Sequence, residues 1–187
     1  MQTYIAILRG INVGGYNKLP MVDLKAMFVA MKFTDVVTYI QSGNIVFKAK
    51  AADDITLTSE IEAAILTKFQ LTVPVIIRTV QEMEQAIAAN PIIKQEGIDV
   101  EKLHITFLAE APTAEALEYI KKYDYPPDVF AIHIKEVYLY CPNGYGNTKL
   151  SNTFFESKLK VKATTRNWKT VNKLVELGGG ESIVHGR

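Results

Sequence analysis

Twice along this chain the same succession of apolar periodicities appears, and few folds accept it. In the first pass, residues 4–8 form an unbroken apolar run of strand length. Met21, Leu24, Met27, Phe28 and Met31 then recur at helical spacing behind Pro20, which suits a first helical turn. Residues 36–41 and 44–48 are β-rich runs meeting at Ser42-Gly43, a hairpin signal. An acidic helix follows, with Ile61, Ile65 and Phe69 as its inner stripe. Asp53-Asp54 stands at its start, and Ser59 with Glu62 reads as a capping box. Residues 73–78 supply a fourth strand.

Thr79 and Glu82 then cap a short helix that ends near Asn90-Pro91, and residues 92–101 lack periodicity and read as a linker. After it the order returns. Residues 103–108 predict a strand, and residues 113–122 a helix with Leu117 and Ile120 inward. Residues 130–134 and 137–141 make a strand pair, Leu150, Phe154 and Leu159 mark a helix, and residues 161–165 a short strand. Asn167 is a good N-cap for a last helix that buries Val171, Leu174 and Val175 and stops at Gly178. Strand, helix, strand, strand, helix, strand is the ferredoxin-like order. The expected class is therefore α+β, with two tandem ferredoxin-like subdomains, each followed by an extra helix. The first spans residues 1–91, the linker 92–101 and the second subdomain 102–187.

The 187 residues are enough for one domain or two small ones, and 48% hydrophobic against 22% charged is ordinary for a globular chain. There is no signal-like N-terminus and no long apolar span, so the cytoplasm is the expected location and no membrane is expected as a partner. The single cysteine, Cys141, excludes an intramolecular disulfide and any multi-cysteine metal site. Charge is unevenly spread. Residues 1–50 carry six Lys/Arg against two Asp/Glu, and residues 143–173 carry seven against Glu156 alone. Residues 51–118 carry four against twelve. The two basic segments would form one positive surface if folding brought them together; otherwise they are two solvated faces.

Residues 9–20, between the first strand and the first helix, are rich in glycine and asparagine and hold Arg9 and Lys18. Gly14-Gly15 permits positive φ, so successive amides there can turn toward an oxyanion, or simply make a turn. This is neither a Walker motif, since no Ser or Thr follows Lys18, nor the dinucleotide-binding glycine fingerprint. Residues 164–168 set Arg166, Asn167 and Trp168 at a helix start, able to clamp a phosphate and stack a base. The other reading makes Trp168 a core anchor and pairs Arg166 with an acidic group. Gln41, Ser42 and Asn44 form a hairpin tip best explained by turn chemistry. Asn143-Gly144-Tyr145-Gly146, leading into Lys149, is either a second anion-facing loop or a plain connection.

These runs carry a resemblance. Residues 8–15 (Leu-Arg-Gly-Ile-Asn-Val-Gly-Gly), 39–44 (Tyr-Ile-Gln-Ser-Gly-Asn) and 164–168 (Thr-Thr-Arg-Asn-Trp) look like the signatures of domain-of-unknown-function family 1697. Residues 149–152 (Lys-Leu-Ser-Asn) fit its pattern too. The resemblance spans nearly the whole chain and implies a bacterial protein of two ferredoxin-like subdomains with no established activity. Tyr16 stands where that family often carries another basic residue.

A phosphorylated small molecule or nucleotide is the expected ligand, bound in a basic cleft between the halves. The candidate residues are Arg9, Asn12, Gly14, Gly15, Asn17, Lys18, Gln41, Ser42, Asn44, Lys149, Arg166, Asn167 and Trp168. Single-stranded nucleic acid is the alternative partner, although residues 44–47 only faintly resemble the aromatic motif with which such a sheet binds RNA. An enzyme acting on a phosphorylated substrate would use Arg9, Lys18 and Arg166 to stabilise charge. No nucleophile–base pair stands out, because His104 and His133 fall within strands, His185 in the tail, and Cys141 ends a strand. No metal spacing and no cofactor motif is present. A third reading is an interaction protein whose acidic middle meets a basic partner.

Overall fold

The computed structural model describes residues 1–181, so His185 lies outside the described residues. The chain divides into two compact units, Met1–Glu84 with Leu174–Glu181, and Gln85–Lys173. The first holds β1 (Gln2–Leu8), α1 (Met21–Ala30), β2 (Thr34–Tyr39), β3 (Asn44–Ala49), α2 (Asp54–Phe69), β4 (Val75–Thr79) and the start of α3 (Val80–Ala88). The second holds β5 (Leu103–Leu108), α4 (Ala114–Ile120), β6 (Val129–His133), β7 (Glu136–Tyr140), α5 (Asn152–Leu159), β8 (Ala163–Asn167) and the start of α6 (Trp168–Leu177). The ends of α3 and α6 are assigned to the other unit in each case.

Each unit has a four-stranded antiparallel sheet, in the orders β2-β3-β1-β4 and β6-β7-β5-β8. The sheets correspond strand for strand: Ile5 opposes Arg78 in one ladder, and Ile105 opposes Arg166 in the other. Small connections repeat as well. Leu8 N–H donates to Gly43 O and Arg9 N–H to Pro74 O; Leu108 N–H donates to Lys135 O and Ala109 N–H to Lys162 O. The tandem ferredoxin-like order read from periodicity is the order observed.

Alternation along the strands builds the first core. Tyr4, Ala6 and Leu8 of β1 point to the same side as Ile45, Phe47, Val75 and Ile77, and these pack with Leu24, Phe28, Ile61 and Ile65 from α1 and α2. Phe47 sits at its centre, with the Phe28 ring edge-on at 5.1 Å and the Phe33 ring at 4.7 Å. In the second unit Val137, Leu139 and Cys141 play the corresponding part beneath Ile120, Phe155 and Leu159. The other sides of the sheets are also buried, as Ile5, Ile7 and Val46 show in one and Ile105 and Tyr138 in the other.

Helix starts follow local chemistry. Thr79 and Glu82 form the expected reciprocal box, Glu82 N–H to Thr79 Oγ1 at 3.1 Å and Thr79 N–H to Glu82 Oε2 at 2.8 Å. Asn167 accepts from Thr170 N–H at 2.8 Å as the predicted cap of α6. The Ser59–Glu62 box is not formed. Asp53 starts α2 six residues earlier, accepting from both Thr56 N–H and the Thr56 hydroxyl, and the helix runs on through Ser59. Glu62 instead accepts from Val75 N–H at 2.9 Å, at the head of β4. The last strand lies two residues beyond the predicted span, at Ala163–Asn167, so it runs directly into its cap residue. Among the described residues no helix is long and apolar enough to cross a membrane.

Candidate functional site

The two units differ most where β1 and β5 lead into their helices. Between β5 and α4 the chain needs only residues 109–113, whereas between β1 and α1 it uses residues 9–20. The fold can therefore make this connection in five residues, and the first unit spends twelve. The extra length is ordered by side-chain amides. Asn12, at φ 55°, accepts from Leu19 N–H at 2.8 Å and donates to Leu19 O and to Gln41 O, each at 2.9 Å. Asn17, at φ 48°, donates to Gly10 O at 2.9 Å, and Asn12 N–H reaches Asn17 O at 3.1 Å. Asparagine tolerates this left-handed backbone better than other side chains, which is why two of them can stand here.

At the loop tip Val13 and Tyr16 face each other as an isolated antiparallel bridge, and Gly14 (φ 57°) and Gly15 (φ 83°) make the tight turn between them. The glycines thus have a structural task of their own. Gly10, Val13, Gly14, Gly15, Asn17, Lys18 and Pro20 are exposed, as is Tyr16 at 79%. Arg9 is half-buried at the loop's base.

The second motif of the first unit docks onto the first. Residues 40–43 turn between β2 and β3, with Ile40 at φ 51° and Gly43 at φ 88°. A Cβ on Gly43 would lie 2.8 Å from both Leu8 Cβ and Ile11 Cδ1. Asn44 is fully buried and donates to Tyr39 O and Ser42 Oγ, so it ties the turn together rather than facing a ligand. Gln41 is exposed and Ser42 half-buried. Arg9, Asn12, Gly14, Gly15, Asn17, Lys18, Gln41, Ser42 and Asn44 therefore belong to one interlocked region, in which the three asparagines hold, Arg9 is half-buried at the base, and Lys18 and Gln41 are exposed.

The candidates of the second unit behave differently. Arg166 is 9% exposed, and its Nη1 donates to Thr164 Oγ1 at 3.2 Å and to Thr165 O at 2.9 Å. Burial holds its guanidinium down to about 10, against the favourable influence of Tyr145, so it is still charged at neutral pH. Trp168 is 3% exposed. Of the two readings of this motif the core-anchor one describes Trp168: it and Arg166 are interior side chains, and Asn167 is occupied as the cap of α6. Ser151 caps α5 through Phe154 N–H, while Asn152 Oδ1 accepts from the Thr165 hydroxyl at 2.7 Å, which also meets Thr106 Oγ1 at 2.7 Å. The 149–152 and 164–168 motifs thus meet as internal hydrogen-bonding. Lys149 is exposed, with its ammonium 5.3 Å over the Tyr125 ring.

His104 is stacked on Tyr145 at 4.8 Å, and burial pushes its pKa below the ordinary histidine value, partly offset by the Lys102 carbonyl. Burial also pushes the Cys141 thiol up, against a weaker contrary effect from Thr148. Tyr4 and Phe47, the aromatics of the middle strands β1 and β3, are buried in the first core and form no stacking platform. Among the described residues no three His, Cys, Asp or Glu side chains gather where they could hold a metal ion.

Residues 1–138 match the family described as protein of unknown function (DUF1697). A solved structure of a conserved bacterial protein from Streptococcus pneumoniae is 19% identical, with a TM-score of 0.76 over 95% of this chain and 98% of that one. That likeness shows the fold alone. No curated protein matches the chain.

Two outcomes follow from this geometry. Gly43→Ala should destabilise the protein by roughly 1–3 kcal/mol, because it adds a side chain in left-handed backbone against two buried neighbours; chemical denaturation measures it, and an unchanged midpoint would contradict the packing. For His104, whose pKa is lowered in the folded state, the unfolded chain binds more protons than the folded one in the window between the unfolded value of about 6.5 and that lowered value. Stability should therefore fall as pH drops through that window, and His104→Gln should flatten this part of the stability–pH curve.

Proposed function

The chain belongs to the DUF1697 family of proteins of unknown function, and on that footing we propose that it binds a phosphate-bearing small molecule at residues 9–20 and 40–43 of its first unit. The observation that carries this reading is the length contrast with the sister connection: twelve residues do what five suffice for. The added residues are not slack. Asn12 and Asn17 fix them through hydrogen bonds to main chain, so the backbone that carries Lys18 is ordered before any ligand arrives. Ordering in advance lowers the entropic cost of binding.

Lys18 supplies a point charge with three rotatable donors, suited to a phosphate oxygen. Gln41 and the exposed glycine backbone of the tip offer neutral donors on the same docked loop and turn. Tyr16 and Val13 offer an apolar wall for the organic part of the ligand. A phosphate that carries a compact organic group suits this mixture better than a bare inorganic ion. A long single strand would need a run of stacking aromatics, which the middle strands do not offer.

A thermal-shift series tests the proposal, with orthophosphate, sugar phosphates and nucleoside mono- and triphosphates at matched ionic strength. A specific ligand at 100 times its Kd stabilises the folded state by about 2.7 kcal/mol, which is readily seen as a rise in Tm. Lys18→Glu should keep the Tm of the free protein, since Lys18 is exposed, and lose the ligand-dependent rise. No rise with any of these compounds, or an undiminished rise in Lys18→Glu, would overturn the reading.

A further inference from the structure

Tyr16 gives the fold little of its surface. It is 79% exposed, and Val13, across the isolated bridge from it, is 64% exposed. Opposed residues of an antiparallel pair put their side chains on one face, so the two share an apolar face at the loop tip. The Tyr16 ring leans over the glycine turn, with Cδ2 at 3.8 Å from where a Cβ on Gly14 would stand. The backbone beneath it is fixed. Tyr16 N–H donates to Val13 O at 2.9 Å, and Asn12 and Asn17 order the residues on either side. A tyrosine side chain has only two torsions, so a ring on such a backbone loses little entropy when a ligand settles on it.

The sister connection separates what the fold needs here from what has been added. Residues 109–113 read Ala-Glu-Ala-Pro-Thr, with neither an aromatic ring nor a cation. Residues 9–20 carry one aromatic, Tyr16, together with Arg9 and Lys18. Tyr16 and Lys18 are two residues apart, which sets their Cα atoms within roughly 7 Å of each other. One small molecule spans that distance. Ring and charge are thus additions of a single short, ordered loop.

Resting on the phosphate reading of this loop, we infer that its ligand is a mononucleotide, with the base stacked on Tyr16 and the phosphate held by Lys18 and the tip. The apolar face selects among phosphates. A sugar phosphate brings ring hydroxyls that lose water against such a face and find no side-chain partner in Val13, Gly14 or Gly15. A base needs only a π-face to stack on, and every base has one. The loop therefore separates nucleotides from sugar phosphates without choosing one base over another. A single aromatic accommodates a single base, which suits a mononucleotide and not a long strand.

The test is calorimetric titration of the full chain with adenosine monophosphate, uridine monophosphate and ribose 5-phosphate at matched ionic strength. Ribose 5-phosphate is either nucleotide without its base, so the comparison removes only the group assigned to Tyr16. The native protein should bind both nucleotides at least about fivefold tighter than ribose 5-phosphate. Tyr16→Ala should bring the nucleotides to the affinity of ribose 5-phosphate and leave that compound unchanged. Tyr16→Phe should keep the preference, because the ring and not the hydroxyl carries it. Both substitutions fall on an exposed side chain and should leave the Tm of the free protein in place. Equal affinity for all three compounds, or a nucleotide preference that survives in Tyr16→Ala, would overturn the inference; if Lys18→Glu then abolishes the binding, the phosphate reading stands without it. Binding of none of the three would overturn both.

Discussion

One side-chain amide organises the surface on which the functional reading stands. Asn12 holds both sides of the Leu19 peptide group, accepting from its N–H and donating to its C=O, and it also reaches Gln41 O in the β2–β3 turn. In effect a side chain takes the place of a missing strand neighbour. A buried or half-buried peptide group left without such a partner would cost about as much as a lost hydrogen bond. With Asn12 in place, the loop and the turn are one body, and Gly43 can press against Leu8 and Ile11 because no Cβ intervenes.

The repeat gives a measure of what the fold requires and what it carries in addition. Both units close the same antiparallel ladder and tie β1 and β5 to their neighbours with matching main-chain bonds. They place an arginine at the same ladder position, Arg78 and Arg166, and both are buried. They differ in the connections. The first unit is lengthened between β1 and α1, while the second is lengthened between β7 and α5, where residues 141–151 replace the four residues 50–53 of the first. Additions that a sister copy folds without are where binding chemistry is free to accumulate.

Much of this was legible from residue order. Period-2 and period-3.6 runs found the strands and helices of the described residues, and the Thr79–Glu82 box and the Asn167 cap were read from their spacing. Ser59 misled because its capping pattern with Glu62 is also present inside a longer helix, and only the stronger Asp53 cap upstream decides where the helix begins. The site residues were legible as motifs but not as roles. An asparagine that holds a loop and one that meets a ligand look alike in sequence, and only the partners of Asn12, Asn17 and Asn44 separate them. Arg166 and Trp168 could be read as a surface clamp or as interior side chains because burial on both sides of a sheet cannot be read from five residues.

The most direct measurement is amide hydrogen exchange at Leu19 in the native protein and in Asn12→Gly, which keeps the left-handed backbone free of strain and removes only the side chain. If Asn12 holds the loop, the Leu19 amide is protected in the native protein and exchanges about tenfold faster in the variant, while Ile5 and Val46 in the sheet keep their rates. Unchanged exchange at Leu19 would contradict the account, because the loop would then owe its order to something other than this side chain.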